Sequence, residues 1–432
     1  MKILLLGSGG REHAIAWHLK KDPRVTALFI APGNPGTAEL GTNLPLAATD
    51  LPALLAWARK EQPDLTFVGP EAPLCLGLAD LFEENGLPVF GPNRNAARLE
   101  GSKVLTKQIF QKHGIPTAPG ACFTGALDAY RYSQAQPYPQ VIKADGLAAG
   151  KGVIIARNPE EATKAIYNIM ERRVFGEAGA ALVIEECLTG PEVSFLAITD
   201  GHDLQLLPLA QDHKRIGDHD TGANTGGMGA YAPARFLSDE VRKEIVDRVL
   251  TPLLAALRAE GIDYQGILYA GLMLAPQGPQ MLEINVRLGD PETQVVLPLL
   301  ETSLIDIAQA VRERKLGALQ LRFNDLSAVG IVLAAPGYPE APRLGGTIEG
   351  LRPSSEKNRI VFHAGTQLDN GTLVTSGGRV ATVTAWERDF ASARRSAYEA
   401  VRDVRFEGMQ FRTDIGARAE TAPATATKAA RA

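Results

Sequence analysis

The stretch VIKADGLAAGKGVII, residues 141–155, decides how the chain is read. Val141 and Ile142 open an apolar run that places Lys143 near a strand end. Nine residues follow, 144–152, dominated by Gly, Ala and Lys, before Val153, Ile154 and Ile155 resume as a return strand. A hairpin needs only a short turn, and this connection is longer and carries little to pack. Gly146, Gly150 and Gly152 let backbone N–H groups approach a bound group closely, while Lys143 and Lys151 bring positive charge. That pairing suits a polyphosphate; the bland alternative is a flexible hairpin with incidental lysines. It is not a P-loop, because no Gly-Lys-Ser/Thr is present and a strand, not a helix, is expected next.

The rest of the chain bounds the problem. Its 432 residues exceed what one core supports, so several domains are expected. Hydrophobic residues at 45% and charged residues at 22% are those of an ordinary globular protein. A net charge of −4 gives no broad attraction to nucleic acid or anionic membrane. Cys75, Cys122 and Cys187 are far apart and form no disulfide framework, which fits a reducing cytoplasm. Only five apolar residues, Met1 included, precede Gly7, too few for a signal peptide, and no run reaches membrane-spanning length.

From the N-terminus, strands are expected over residues 2–6, 26–31, 65–68 and 88–90, with helices over 11–20, 51–60 and 76–85. This alternation implies a doubly wound parallel sheet whose ligands sit beyond the strands' carboxyl ends. A dinucleotide fold is disfavoured: Glu12 stands at the third fingerprint glycine, and the second strand ends in Ala31-Pro32 without an acid. The turn at Gly7, Gly9 and Gly10 still offers N–H groups at a helix start. A new unit begins at Ser102, the expected N-cap of a helix running to about His113. Further helices are expected over 159–170, 237–260 and 298–309, and strands over 181–186, 193–199, 266–274 and 280–284. Residues 211–231, QDHKRIGDHDTGANTGGMGAY, read as a long ordered active-site loop carrying Asp212, His213 and Lys214; zinc is disfavoured there for want of ligand spacing. Strands over 328–335 and 378–386 and a helix over 390–405 form a third, α+β unit, and the Ala/Thr-rich tail is expected to be disordered.

The segment 283–292, EINVRLGDPE, carries a second signal. Strand alternation puts Glu283, Asn285 and Arg287 on one face, a poor pattern for a core. An acid and an amide two residues apart can share a hard cation such as magnesium, and Arg287 can hold an anion beside it. An exposed polar sheet face is the structural alternative.

These segments together resemble the phosphoribosylamine–glycine ligases, also called glycinamide ribonucleotide synthetases, of the ATP-grasp superfamily. The resemblance is carried by GSGGREH (7–13), APGN (31–34), VGPEAP (68–73), EGSK (100–103), IKADGLAAGKG (142–152), QDHKR (211–215), NTGGMGAY (224–231) and RLGDPETQ (287–294). It implies an N-terminal Rossmann-like domain over 1–101, an ATP-grasp domain over 102–318 with a lid at about 117–192, a small α+β domain over 319–418 and a tail over 419–432. It further implies that ATP phosphorylates glycine and that 5-phosphoribosylamine attacks the acyl phosphate, a step of purine synthesis. A cytoplasmic monomer that acts on small molecules, without nucleic acid or membrane, is expected.

Carried over by residue, Lys103 and Lys143 resemble the phosphate-binding lysines, and Gly146, Gly150, Lys151 and Gly152 the lid. Glu185, Glu186 and Leu188 resemble the adenine-reading hinge, Glu192 the ribose acid, and Glu283 and Asn285 the ligands of Mg2+ (or Mn2+). Arg287 would stabilise the transferring phosphoryl group. Asp212, His213, Lys214, Gly289 and Asp290 would lie where glycine and the amine meet, and Gly9, Gly10 and Glu71 would hold phosphoribosylamine. Val286 and Ile284 depart from the Cys and Phe expected there. The competing readings are an ATP-grasp ligase or carboxylase for another acid, and a non-catalytic nucleotide-binding protein.

Overall fold

The computed structural model describes residues 1–148, 152–234, 237–351, 358–417 and 419. The N-terminal sheet is parallel, in the order Thr42–Asn43, Ala27–Pro32, Lys2–Gly7, Leu65–Val68, Val89–Phe90. Its central strand reads as a continuous apolar run because both faces are covered. Ile3 and Leu5 enter one core cluster while Leu4 and Leu6 enter another, each burial being worth roughly 1.5–3 kcal/mol. The strand turns at Gly7, whose φ of +120° only glycine adopts freely. The helix Gly10–Lys20 then starts at once. Glu12 reaches back so that its Oε2 accepts from the Gly9 N–H at 2.6 Å, and its side chain fills the space beside Gly7 and Gly69. The residue that broke the dinucleotide fingerprint therefore packs the turn.

Two antiparallel sheets form the middle of the molecule. One has the order Gly120–Phe123, Leu182–Glu186, Gln140–Ala144, Val153–Ala156. It is backed by the helices Ala126–Ala135 and Pro159–Ile166 over Ile142, Ile166, Ile169, Leu182 and Ile184. The other has the order Leu204–Leu206, Glu192–Thr199, Gly266–Ala275, Gly278–Asn285. The chain passes from Leu182–Glu186 to Glu192–Thr199 through residues 187–191, so a single short link hinges one sheet on the other. The helix Lys103–His113 begins at Ser102, whose Oγ accepts from Leu105 N–H at 3.1 Å, as its sequence requires.

A third antiparallel sheet draws on distant parts of the chain: Gln211–Asp212, Gly229–Ala232, Ser327–Ala334, Arg379–Glu387, Arg359–His363. The helix Phe390–Val401 covers it.

Three expectations need correction. Residues 211–231 are not one loop: they form the strands Gln211–Asp212, Arg215–Gly217, Thr221–Asn224 and Gly229–Ala232. Arg215–Gly217 pairs with Thr221–Asn224 across a short turn, and Gly229–Ala232 pairs with both Gln211–Asp212 and the distant Ser327–Ala334; this pairing outweighs their glycine content. The expected helix over 298–309 starts instead at Leu304, after Ser303 accepts from Ile305 N–H at 3.1 Å; Leu300 pairs with Phe323 and its carbonyl faces His18 Nε2. The helix expected over 390–405 ends at Val401.

Candidate active site

A cavity of about 470 Å³ lies between the two middle sheets and opens toward the N-terminal sheet. It adjoins a second of about 350 Å³, and the two share a wall at Lys143, Glu185 and Glu283. Strand ends and loops from every sheet described above reach this space, where fixed backbone positions converging side chains.

Lysines supply its positive charge. Lys143, near the end of Gln140–Ala144, donates through Nζ to the Leu282 carbonyl at 2.9 Å and pairs with Glu185 Oε2 at 2.5 Å. Lys103 starts its helix and donates to the Gly146 carbonyl at 3.0 Å, tying the glycine-rich loop to the helix start. Asp145 completes this tie, its Oδ1 accepting from Val104 N–H at 3.0 Å and Ser102 Oγ at 2.9 Å. Gly146 needs to be glycine: its φ is +132°, and a Cβ would stand 2.7 Å from that of Ala178. Gly152 also lines the cavity. Gly150 and Lys151 lie outside the described residues.

Opposite stand Glu283 and Asn285, with Asn285 Nδ2 donating to Glu283 Oε1 at 3.4 Å. Burial alone would raise the Glu283 carboxyl, but Lys214, Lys143 and Lys103 hold it below the ordinary range. Among the described residues, no group of three or more His, Cys, Asp or Glu could hold a metal by itself. One ionised acid beside one amide fits magnesium only as a partial set that phosphate oxygens and water complete. Arg287 follows, its Nη2 within reach of two oxygens, Glu100 Oε1 at 3.0 Å and Asn285 Oδ1 at 3.3 Å, while Nε faces Glu71 Oε2 at 3.4 Å. Glu100 Oε2 in turn accepts from Val286 N–H at 2.7 Å.

Asp212 and Lys214 meet at 3.2 Å on the far side. Burial, opposed by Lys214 and reinforced by Glu292, pushes the Asp212 carboxyl up to about 7. Its Oδ1 is buried without a hydrogen-bond partner among the described residues. Alternation turns His213 away from the cavity, against Tyr231 and toward Gly416, and burial lowers its pKa to about 4. Asp290 lines the cavity between Arg379, at 3.2 Å, and Gln294 Nε2, at 2.7 Å. Gly289 lies behind it, against Glu292, and Gly10 against Gln294, whereas Gly9 faces Asp290. Glu71 lines the cavity beside Arg287.

The second cavity is more apolar. Val141, Ile155, Leu272 and Met273 line it, with Glu186, Leu188 and Glu192 at the hinge. Glu185 belongs to that strand, yet its side chain turns inward between Lys107 and Lys143.

Several cavity residues carried no role in the sequence reading. Glu292 Oε1 accepts from Tyr269 at 2.9 Å and Ser194 at 3.0 Å; Glu100 and Glu292, like Arg11, Thr225 and Gly226, stood inside quoted motifs, and that was their signal. Tyr269, Lys107 and Arg379 come from segments that read as strand or helix alone.

Comparisons with known proteins agree with this geometry. Residues 1–100, 101–293 and 328–418 match, respectively, the N domain, the ATP-grasp (A) domain and the C domain of phosphoribosylglycinamide synthetase. A phosphoribosylamine–glycine ligase of Vibrio vulnificus is 46% identical over 97% of this chain and 98% of its own length. One of Salmonella typhi is 46% identical over 97% and 99%. The crystal structure of the phosphoribosylamine–glycine ligase of Thermotoga maritima superposes with a TM-score of 0.83 at 37% identity, covering 96% of this chain and all of the other. Biotin carboxylase of Campylobacter jejuni, 17% identical over 95% of this chain and 93% of its own with a TM-score of 0.72, shares the fold. The chain therefore belongs to the phosphoribosylglycinamide synthetase family, with the family's N, ATP-grasp and C domains in order.

Proposed function

We propose that the protein joins glycine to 5-phosphoribosylamine at the expense of ATP, giving glycinamide ribonucleotide, ADP and phosphate. The observation that carries this reading is the convergence of Lys103, Lys143 and Lys214 on the half-buried Glu283, in a cavity that opens onto an apolar slot. The slot accepts a base between Val141, Ile155 and Leu272, the hinge strand reads its edge, and Glu192 faces the ribose. Lys103 and Lys143 then meet the phosphates beneath the loop at Gly146. Glu283 and Asn285 would hold Mg2+ (or Mn2+), which when bound neutralises phosphate charge and orients the terminal phosphoryl group.

A glycine carboxylate oxygen attacks the terminal phosphorus, the bond to the ADP oxygen breaks, and glycyl phosphate forms. The amine nitrogen of phosphoribosylamine then attacks the acyl carbon, the carbon–oxygen bond to phosphate breaks, and the nitrogen gives up a proton. Asp212, buried and near neutral pH in its titration, is placed to take that proton. Arg287 faces charge that develops on the transferring group, and Glu71 with Asp290 borders the space left for phosphoribosylamine. No covalent bond to the protein is needed, so the residues act by positioning and charge.

Two further points belong to the same proposal: the protein works as a cytoplasmic monomer on small molecules alone. Among the described residues no helix is long and apolar enough to cross a membrane, and the three cysteines are free thiols. Glu283→Ala tests the core of the reading. Turnover, measured as ADP release with glycine and phosphoribosylamine, is expected to fall at least about 100-fold while the circular dichroism stays native, because a charged ligand and not core packing is removed. Near-parental turnover would reject the assignment, and equal ADP release with other acids in place of glycine would reject the substrate.

A further inference from the structure

Lys107 is a buried ammonium that the proposed reaction does not use. It is about 2% exposed, and lysine is almost never so enclosed unless paired. Its Nζ donates to Thr117 Oγ1 at 3.3 Å, to the Ala118 carbonyl and to Glu185 Oε1 at 2.8 Å. An ammonium has three donors, so these contacts occupy Lys107 fully and leave nothing for a nucleotide. Glu185 passes the grip onward: Oε2 holds Lys143 Nζ at 2.5 Å, and Lys143 also donates to the Leu282 carbonyl at 2.9 Å. Two of its three donors are thereby fixed in direction, and the third points by elimination toward the cavity that Lys143 lines.

The placing of an acid here needs explanation, because a carboxylate beside a triphosphate repels it. Burial would push the Glu185 carboxyl up, yet Lys143 and Lys107 hold it below the ordinary range. Lys107 supplies the charge that makes the acid tolerable, and the acid supplies the direction that a flexible lysine lacks. We propose that the Glu185 side chain, neutralised by Lys107, is a positioning residue that aims the Lys143 ammonium at the nucleotide's phosphates, separately from any contact between the hinge backbone and the base. The proposal rests on reading Lys143 as a phosphate lysine.

The test compares labelled ADP with labelled adenosine in equilibrium dialysis against the full-length protein. Glu185→Gln alone leaves Lys107 buried without its counter-charge and risks misfolding, so the decisive variant is Glu185→Gln with Lys107→Met. It is expected to lose affinity for ADP about tenfold or more, the scale of a charge-assisted hydrogen bond, and to bind adenosine as the parent does. A disturbed hinge would weaken both ligands equally, and that result overturns the proposal, as does parental ADP binding. Lys143→Met serves as the reference: it is expected to lose ADP affinity and keep adenosine affinity. If Lys143→Met binds ADP normally, the underlying phosphate reading fails and the proposal falls with it. If Lys143→Met is impaired and the double variant is not, only the role of Glu185 fails.

Discussion

Asp212 shows how much of the site is set by surroundings rather than by residue type. Its carboxyl titrates near 7 because burial disfavours the charge, with Lys214 opposing and Glu292 assisting. A base must be deprotonated, so the rate of amine attack is expected to rise as pH passes through about 7. Asp212→Asn should flatten that limb and leave a rate at least about 100-fold lower. The comparison of parent with variant removes the substrate's own titration, and a limb that survives in Asp212→Asn would sink the assignment. Stability should move the other way. The folded pKa lies above the unfolded one, so the contribution of Asp212 is complete at acid pH and fades as pH rises through 7. Sequence showed the residue but not this property. In the same way alternation revealed Glu283 and Asn285, while the inward turn of the Glu185 side chain and its partner Lys107 could not be read, because their meeting depends on a helix packing across a strand.

Elements divide along the same line. The apolar runs at Lys2–Gly7 and Leu65–Val68 and the capped helix Lys103–His113 were legible, since burial and capping are local patterns. The strands within 211–231 were not, because their pairing partners lie more than about a hundred residues away or across a glycine-rich turn. The hairpin Gln140–Ala144 with Val153–Ala156 was read correctly, and its loop carries a prediction of its own. Gly146→Ala imposes a Cβ on a backbone at φ +132° and against Ala178. The strain, about 1–3 kcal/mol, would be relieved by moving the loop off Lys103. The KM for ATP is expected to rise about tenfold while the far-UV spectrum is unchanged. An unaltered KM would show that the contact of Lys103 with the Gly146 carbonyl does not shape the nucleotide site.

At the scale of the molecule, the N-terminal helix Gly10–Lys20 rests on the third sheet, far away in sequence. The Trp17 ring meets Phe362 at 5.9 Å and Trp386 at 5.6 Å, both edge-on, with Lys21 Nζ 3.2 Å from its centre. Beside it, His13 Nδ1 accepts from His363 N–H at 2.8 Å, and burial next to His363 lowers the His13 pKa to about 3, keeping that acceptor neutral. Asn34 Nδ2 bonds both the Ser8 and the His363 carbonyls, so the turn that leads into the first helix is fastened to the same sheet. One cluster accordingly mixes Ile3, Ile15, Leu196, Val295 and Phe362. Contacts of this kind are expected to couple the unfolding of the parts they join. Trp17→Ala, which removes a half-buried aromatic from that junction, is expected to cost about 2–3 kcal/mol. The loss should lower the denaturation midpoint seen by far-UV circular dichroism and by the fluorescence of Trp57 and Trp386 together. Trp57 packs on Phe29 at the opposite side of the N-terminal sheet and Trp386 lies in the third sheet, so the two report on separate regions. If the variant's Trp57 and Trp386 transitions separate, the N-terminal sheet folds independently of the rest, and the junction orients the cavity loops without stabilising the whole.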